Sequence, residues 1–320
     1  MSSMLARFFS SRLVRGSYRD EEPEVAFKLQ GSRQEQKRLA ALVNRIARQS
    51  PTGKEILKEA ADEGYALCFG EQLTTVGYCT PYEKRLVLNP MFSDARLVST
   101  LTHESRHAGQ IRRGMPDEVG LLEFKAEVIA FRAMEADANA CAGVVCHELA
   151  HRGDDAPWKA FDENTHIMAL PLRHCREETV PHENITRSFL AWYAYREHKE
   201  SYEQSYIRDP IRQALSENRA AELPYDRPMT TAEIVRRVCT SPKGCYFAAS
   251  PKTLEGSEYA DISQETKREV EAFMAACGRS DPADRKTSVA WMPLRLDEKR
   301  RSPVSPAAVR AEYLKKRAGR

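Results

Sequence analysis

The sequence predicts a mainly helical α+β fold, and three observations carry that prediction. Between Asp117 and His151 there is no proline, and Val119, Leu122, Ala126, Ile129, Ala133, Ala136 and Ala140 follow one face of a long helix. "RQEQKRLAALVNRIA" (34–48) places Leu39, Leu42, Val43 and Ile46 at the same helical spacing. Strand character is confined to short runs, "YALCFG" (65–70) and "KRLVLN" (84–89), with "TTVGYC" between them as a third candidate.

The elements follow in order from their punctuation. "SPTGKEILKEAADEG" (50–64) reads as a short helix with Ser50 or Thr52 as its cap and Gly64 as its stop. Asn89-Pro90 closes the strand region, and Ser93 or Asp94 can cap a helix over about 94–113 that carries Leu97, Val98, Leu101, Ala108 and Ile111. Gly114-Met115-Pro116 breaks the chain before the long helix, and Gly153 to Pro157 ends that helix. Residues 157–183 are less regular. A helix rich in aromatics is expected over 184–206, others at 230–239 and 262–277, and a strand around Tyr246-Phe247.

Charge and composition divide the chain. Residues 1–19 carry +4 and residues 285–320 carry +8, so a total of +3 leaves 20–284 at −9. The ends read as solvated basic segments and the interior as an acidic folded body. The expected domains are a flexible basic arm (1–30), a main domain (31–220), a small helical or α+β accessory region (225–277) and a disordered basic tail (278–320). No apolar run approaches the roughly 20 residues that span a bilayer. The acidic body lacks interleaved basic and aromatic residues, which argues against a nucleic-acid module. Eight cysteines without a CxxC pair point to reduced thiols and a cytoplasmic setting. Cys141 and Cys146 read as buried small side chains, and "CTSPKGC" (239–245) as a turn between two buried cysteines. The acid-free, Arg- and Ser-rich N-terminus also has the composition of an organelle transit peptide, so targeting and non-classical export stay open.

One five-residue pattern occurs twice. His103-Glu104-Ser105-Arg106-His107 lies in the 94–113 helix, and His147-Glu148-Leu149-Ala150-His151 ends the long one. Two histidines four apart on a helix are about 40° apart around its axis, so both imidazoles can reach one metal ion. The glutamate between them can take a proton from the water that such an ion activates. A zinc site of this kind needs a third protein ligand.

The first copy has a candidate. "RAMEADANACA" contains Glu135-x-x-Ala138-Asn139, which resembles the E-x-x-A-[DN] run that gluzincin-type zinc peptidases carry after HExxH. The resemblance implies Glu135 as the third ligand and Asn139, one turn later on the same face, as a residue that could hold a ligand in place. Alanines at 136, 138, 140 and 142 leave room for a close helix approach. The second copy has none. The continuation that metzincin-type peptidases carry, a Gly three residues after the last His and another His three later, is replaced here by Asp154 and Pro157, and Glu177, Glu178 and Glu183 fall in irregular sequence. On one helix, Glu135 and His147 are separated by about 18 Å at about 1.5 Å per residue, too far to share an ion. The expectation for the second copy is an exposed helix end, with Cys146, Leu149 and Ala150 inward and His147, Glu148 and His151 toward solvent. Arg106 departs from the uncharged preference inside the first motif, and a position facing solvent or substrate would tolerate it.

"LVLNPMFSDARLVSTLTHESRHAGQ" followed by "EADANA" resembles bacterial metallopeptidase domains of the gluzincin group. More distantly, E-x-x-A-N resembles the ImmA/IrrE-like zinc peptidases that cleave phage-type repressors. The resemblance covers roughly residues 50–205. It implies a minimal zincin-like fold, one Zn2+ held by His103, His107 and Glu135, and Glu104 as general base and then general acid. It further implies that a protein or peptide substrate lies antiparallel along an edge strand, which residues 84–89 would supply. The oxyanion donor is left open among His174, His182, Tyr193, Tyr195, Tyr202 and Tyr206. His166, His174 and His182 recur every eight residues but read as polar surface. The competing expectation is a non-catalytic regulatory or binding protein that keeps the fold, with its basic tails contacting an acidic partner.

Overall fold

The structure, a computed structural model, describes residues 18–70, 75–173, 175–176, 179–220, 223–241 and 244–277. The expected tail over 278–320 and most of the expected arm over 1–30 lie outside the described residues. The chain divides into two units, and the division falls inside one helix. The first unit takes in residues up to Arg112 and Ala138–Pro181, the second Arg113–Asp137 and the chain from His182 onward. The mainly helical α+β class is what the chain adopts.

In the first unit, β1 (Lys28–Leu29), α1 (Arg33–Gln49), α2 (Pro51–Asp62), β2 (Ala66–Phe69), β3 (Gly77–Thr80), β4 (Arg85–Leu88) and α3 (Asp94–Arg112) follow in sequence. Ser32 and Glu35 form a capping box at the start of α1, with Ser32 N–H donating to Glu35 Oε2 at 2.7 Å. Ser50 caps α2, accepting from Gly53 N–H at 2.7 Å, and Gly64 takes the positive φ of 81° that turns the chain into β2. Leu39, Leu42, Val43 and Ile46 of α1 are all buried, as the spacing requires. α1 packs on β1 and β2, while α3 packs on β3 and β4.

The sheet order is β1-β2-β4-β3, with β1, β2 and β4 parallel and β3 antiparallel. This corrects the expected edge. Residues 85–88 pair on both sides, with β2 and with β3, so β4 has no free ladder; the edge beside it is β3. Hydrophobic periodicity identifies a buried strand but carries no information about its neighbours. β3 lies very close to α3, because a Cβ on Gly77 would meet Thr100 Cγ2 at 2.6 Å and Val87 O at 2.9 Å.

The long helix α4 (Phe124–His151) starts seven residues later than expected. Its lead-in is tied down instead: Leu122 bridges to Arg227, and the Glu127 carboxylate accepts from Gly120 N–H at 2.8 Å and Leu122 N–H at 3.1 Å. Residues 157–183 also depart from expectation, since α5 (Asp155–Arg173) is helical, apart from a break at Thr165 (φ −140°, ψ 43°). Pro157, Phe161, Met168, Ala169 and Leu172 form its buried face, and the prolines had masked that pattern. A side chain at Gly143 of α4 would strike Phe161 and Leu172, so glycine sets how closely α5 packs there.

In the second unit, the expected single helix over 184–206 is interrupted. It comprises α6 (His182–Ala191), a 3-10 turn at Trp192–Ala194, α7 (Arg196–Glu203) and a π-helical turn at Gln204–Arg208 leading into α8 (Asp209–Ser216). Then come α9 (Thr231–Val238), the hairpin β5 (Thr240–Ser241) and β6 (Gly244–Cys245), α10 (Ser257–Ala260) and α11 (Gln264–Ala276). The hairpin precedes Tyr246-Phe247, where the strand was expected, and Cys245 is exposed while Cys239 is buried. Val128, Ile207, Ile211, Tyr225, Ile262 and Phe273 form the unit's core. No helix among the described residues is long and apolar enough to cross a membrane.

Candidate metal centre

The start of α3 is held from several directions. Ser93 Oγ accepts from Arg96 N–H at 3.3 Å. The buried Arg38 guanidinium donates to Asp94 Oδ1 at 2.8 Å and to the carbonyls of Pro90 and Phe92 at 2.9 and 2.7 Å. Tyr18 adds a bond from its hydroxyl to Asp94 Oδ2 at 2.9 Å. A helix so anchored, and packed at Gly77, presents its side chains from a fixed frame.

Two turns along, His103 and His107 meet edge to face, with ring centroids 4.6 Å apart and planes at 85°. Their Nε2 atoms are 3.0 Å apart. His107 Nδ1 lies 2.8 Å from Gln110 Oε1, an acceptor on a fully buried side chain. That contact places the proton on Nδ1 and leaves the Nε2 lone pair directed at His103. The ligand atoms of His103, His107 and Glu135 all lie within 4.8 Å of one another. Two imidazole nitrogens at about 2.0–2.1 Å from a tetrahedral Zn2+ would be about 3.3 Å apart. The observed 3.0 Å is close to that separation, and it also lets the His103 ring donate a hydrogen bond to His107 Nε2. The donor set, two imidazoles and a carboxylate, fits a divalent metal.

Glu104 is buried, as is Glu135. Burial pushes the Cys79 thiol up to about 12, and the charge of Glu104 adds to that rise. Glu104 therefore lies near the edge strand β3, on the side where Gly77 and Cys79 face α3. Asn139 is half-buried on α4, and the alanines at 136, 138, 140 and 142 are all buried. Arg106 departs from expectation: it is only 3% exposed, so it faces neither solvent nor an open cleft.

The second copy of the motif is also placed differently from its expectation. His147 and Glu148 are buried; only His151 is exposed. Glu148 accepts hydrogen bonds from the Ser50 hydroxyl, from Thr52 Oγ1 at 2.6 Å and from Thr52 N–H at 3.2 Å. It thus supplies negative charge to the N-terminus of α2, where unpaired N–H groups and the helix dipole favour it. His147 Nε2 lies 3.1 Å from the Cys175 carbonyl, and its ring meets Trp158 edge to face at 5.7 Å. Among the described residues, His103, His107 and Glu135 form the only group of three such side chains whose ligand atoms converge.

The candidate oxyanion donors scatter. His174, Glu177 and Glu178 lie outside the described residues, and His182, Glu183 and His166 are exposed. Tyr193 is buried, and Tyr202 and Tyr206 stack on each other at 5.3 Å. Sequence reading missed two residues. Gln110 had a local signal, its i+3 spacing from His107. His198 had none; burial lowers its pKa while the charge of Glu135 raises it, which places the two near each other.

The mainly helical α+β fold thus carries a convergent His-His-Glu group that could hold a metal ion. Residues 21–249 match the model of the "Putative metallopeptidase family (DUF6782)", and the chain belongs to that family. No curated protein and no solved structure matches the chain. Family membership points to a peptidase with a metal cofactor and a protein or peptide substrate.

Proposed function

We propose that the chain is a single-zinc peptidase whose centre is His103, His107 and Glu135, with Glu104 as the catalytic acid–base group. The observation that carries the reading is the pair of facing Nε2 atoms at 3.0 Å, with Glu135 in the same group. Zn2+ bound there would polarise the scissile carbonyl and make water nucleophilic near neutral pH. Glu104, one residue after His103 on the same helix, accepts a proton from the attacking water and returns it to the departing amine. Gln110 holds the His107 ring in the tautomer that binds through Nε2. Asn139, one turn beyond Glu135, is the proposed support for a ligand. The activity is assigned to residues 31–220, with 225–277 as an accessory region.

The substrate strand is assigned to β3 in place of residues 84–89. Among the described residues β3 is the edge beside β4, and at Gly77 it lies against Thr100 of α3, the helix that carries Glu104. An extended peptide could pair with Gly77–Thr80 through main-chain hydrogen bonds.

The test is metal analysis of purified wild type beside Glu135→Ala, with digestion of reduced casein in the presence and absence of a chelator. One zinc per chain and chelator-sensitive cleavage in wild type only are expected. A protein that retains zinc but cleaves nothing across a broad substrate panel would favour the binding-protein reading.

A further inference from the structure

In the first unit, residues 18–24 form a strap across α1 that is tied at both ends. The Tyr18 hydroxyl donates to Asp94 Oδ2 at 2.9 Å, at the start of α3. At the other end, Glu24 N–H donates to Asn44 Oδ1 at 2.6 Å, and Asn44 Nδ2 donates to the Glu22 carbonyl at 3.1 Å. Asn44 is buried, and both ends of its amide are committed to the strap. Ion pairs add to the hold: Asp20 with Arg33 and Lys37, Arg48 with Glu21 and Glu24. Between strap and helix lies a cleft of about 330 Å³. Its helix side is one face of α1, residues 41, 44, 45, 48 and 49. Its strap side is formed by Tyr18, Arg19 and Glu21.

The guanidinium groups of this cleft are held on one edge and open on another. Arg45 turns Nε and Nη2 to Asp154, at 2.6 Å each, and Asp154 does not line the cleft. Among the described residues Nη1 of Arg45 then has no partner. Arg48 commits Nε to Glu24 and Nη1 to Glu21, which leaves its Nη2. The side chains of Arg19 and Gln49 have no hydrogen bond or ion pair among the described residues. A guanidinium already oriented by a carboxylate has lost its rotamer freedom before any ligand arrives, so its remaining N–H groups bind at lower entropic cost. Asp154 and Glu24 balance part of the positive charge from outside the lining. The attraction therefore comes from directed N–H groups at short range, within a body (20–284) whose net charge of −9 repels anions elsewhere. Tyr18, its hydroxyl proton committed to Asp94, and Ala41 add apolar surface.

We propose that this cleft binds a small organic phosphate monoester, with the phosphate on Arg19, Arg45, Arg48 and Gln49 and the carbon body against Tyr18 and Ala41. The site is separate from the metal centre and does not depend on the zinc-peptidase reading. A phosphate monoester carries close to two negative charges and three strong acceptor oxygens, which suits three guanidinium groups. A carboxylate brings one charge and two oxygens. Small-molecule sites occupy roughly 300–1,000 Å³, so the cleft is large enough for a phosphate with an organic group attached. A strap fastened at both ends favours a compact molecule over a continuous chain.

Calorimetric titration of the full chain with phenyl phosphate, at constant ionic strength, tests this. One molecule per chain should bind, and more tightly than benzoate. Arg45→Lys keeps the charge but loses the planar fork, and should weaken binding by about 10- to 100-fold, the worth of a charge-assisted hydrogen bond. Arg19→Ala removes a side chain that supports nothing else in the fold. It should weaken binding by about tenfold and leave the melting temperature in phosphate-free buffer unchanged, so it decides the matter should Arg45→Lys fail to fold. His103→Ala should bind phenyl phosphate as wild type does, which separates the cleft from phosphate held on a metal ion. Absence of saturable binding overturns the proposal, as does binding that Arg19→Ala leaves at full strength. Tighter binding of benzoate, or loss of binding in His103→Ala, overturns it too. None of these outcomes bears on zinc content or cleavage.

Discussion

At residues 103–107 two imidazoles present their Nε2 atoms to each other across 3.0 Å; at 147–151 one imidazole is sealed against the Cys175 carbonyl and the other is in solvent. The two glutamates differ as much. Glu148 accepts hydrogen bonds from Ser50 and Thr52, both close to a hundred residues away in sequence, so its lone pairs are committed to the start of α2. Glu104 is carried by α3, which packs on β3, the strand that ends the sheet on that side among the described residues. The same five-residue spelling thus gives a convergent imidazole pair in one helix and a helix cap in another. What separates them is the set of partners brought from elsewhere: Glu135 and Gln110 for the first copy, Ser50, Thr52 and Cys175 for the second.

The largest effect that would break this contrast is on metal content. His103→Ala or His107→Ala should empty the centre, whereas His147→Ala combined with His151→Ala should leave one zinc per chain; elemental analysis of the dialysed proteins decides it. Metal lost from the second set and kept in the first would reverse the assignment. The glutamates come next. Glu104→Gln should keep zinc and fold yet lose about 10² to 10⁴ in rate, as removal of a general acid–base group commonly does. Glu148→Ala should leave the rate per folded molecule unchanged and cost roughly 1–3 kcal/mol of stability, because buried hydroxyl and N–H donors lose their acceptor. A Glu148→Ala protein as stable as wild type would show that the cap contributes nothing. Smaller again is the effect of Gln110→Leu, expected to weaken zinc binding by about 10- to 100-fold, as loss of a group orienting a ligand does. Competition with a chromogenic chelator measures it, and unchanged affinity would remove Gln110 from the centre.

Much of the first copy was legible because its information is local. Helical spacing, the Ser93 cap and the four-residue interval between His103 and His107 lie within one segment, and Glu135 stands in a long helix with no proline. Gln110 was legible in the same way and was overlooked. The second copy was not, because nothing near His147 or Glu148 announces Ser50 or Cys175, and a polar residue at a helix end reads as solvated by default. The position of β4 inside the sheet was hidden for a related reason: "RLVL" shows that a strand is buried, while its pairing with β2 and β3 depends on the whole sheet.

The smallest expected effect sharpens the second copy alone. His147 is a histidine whose folded state favours the neutral ring. Its Nε2–H points at the Cys175 carbonyl, and among the described residues no hydrogen-bond partner meets its buried Nδ1. Protonation of Nδ1 would bury a charge without an acceptor, beside His151, which repels it when charged. The pKa is therefore held below 6.5, with burial as the main cause. A pKa lower in the folded than in the unfolded chain means that the unfolded chain binds the proton more readily. The stabilising contribution is present above pH 6.5 and is lost as pH falls through the folded value. Wild type should then lose more melting temperature between pH 7.5 and 5.5 than His147→Gln, which cannot take up that proton. All other titrating groups are common to both proteins and cancel in the difference. About 1 kcal/mol moves the midpoint of a domain of 150–250 residues by roughly 2–4 °C, so scanning calorimetry at the two pH values can resolve the slopes. Parallel slopes would mean that His147 finds a partner for its second nitrogen, and that the second copy is less sealed than its neighbours imply.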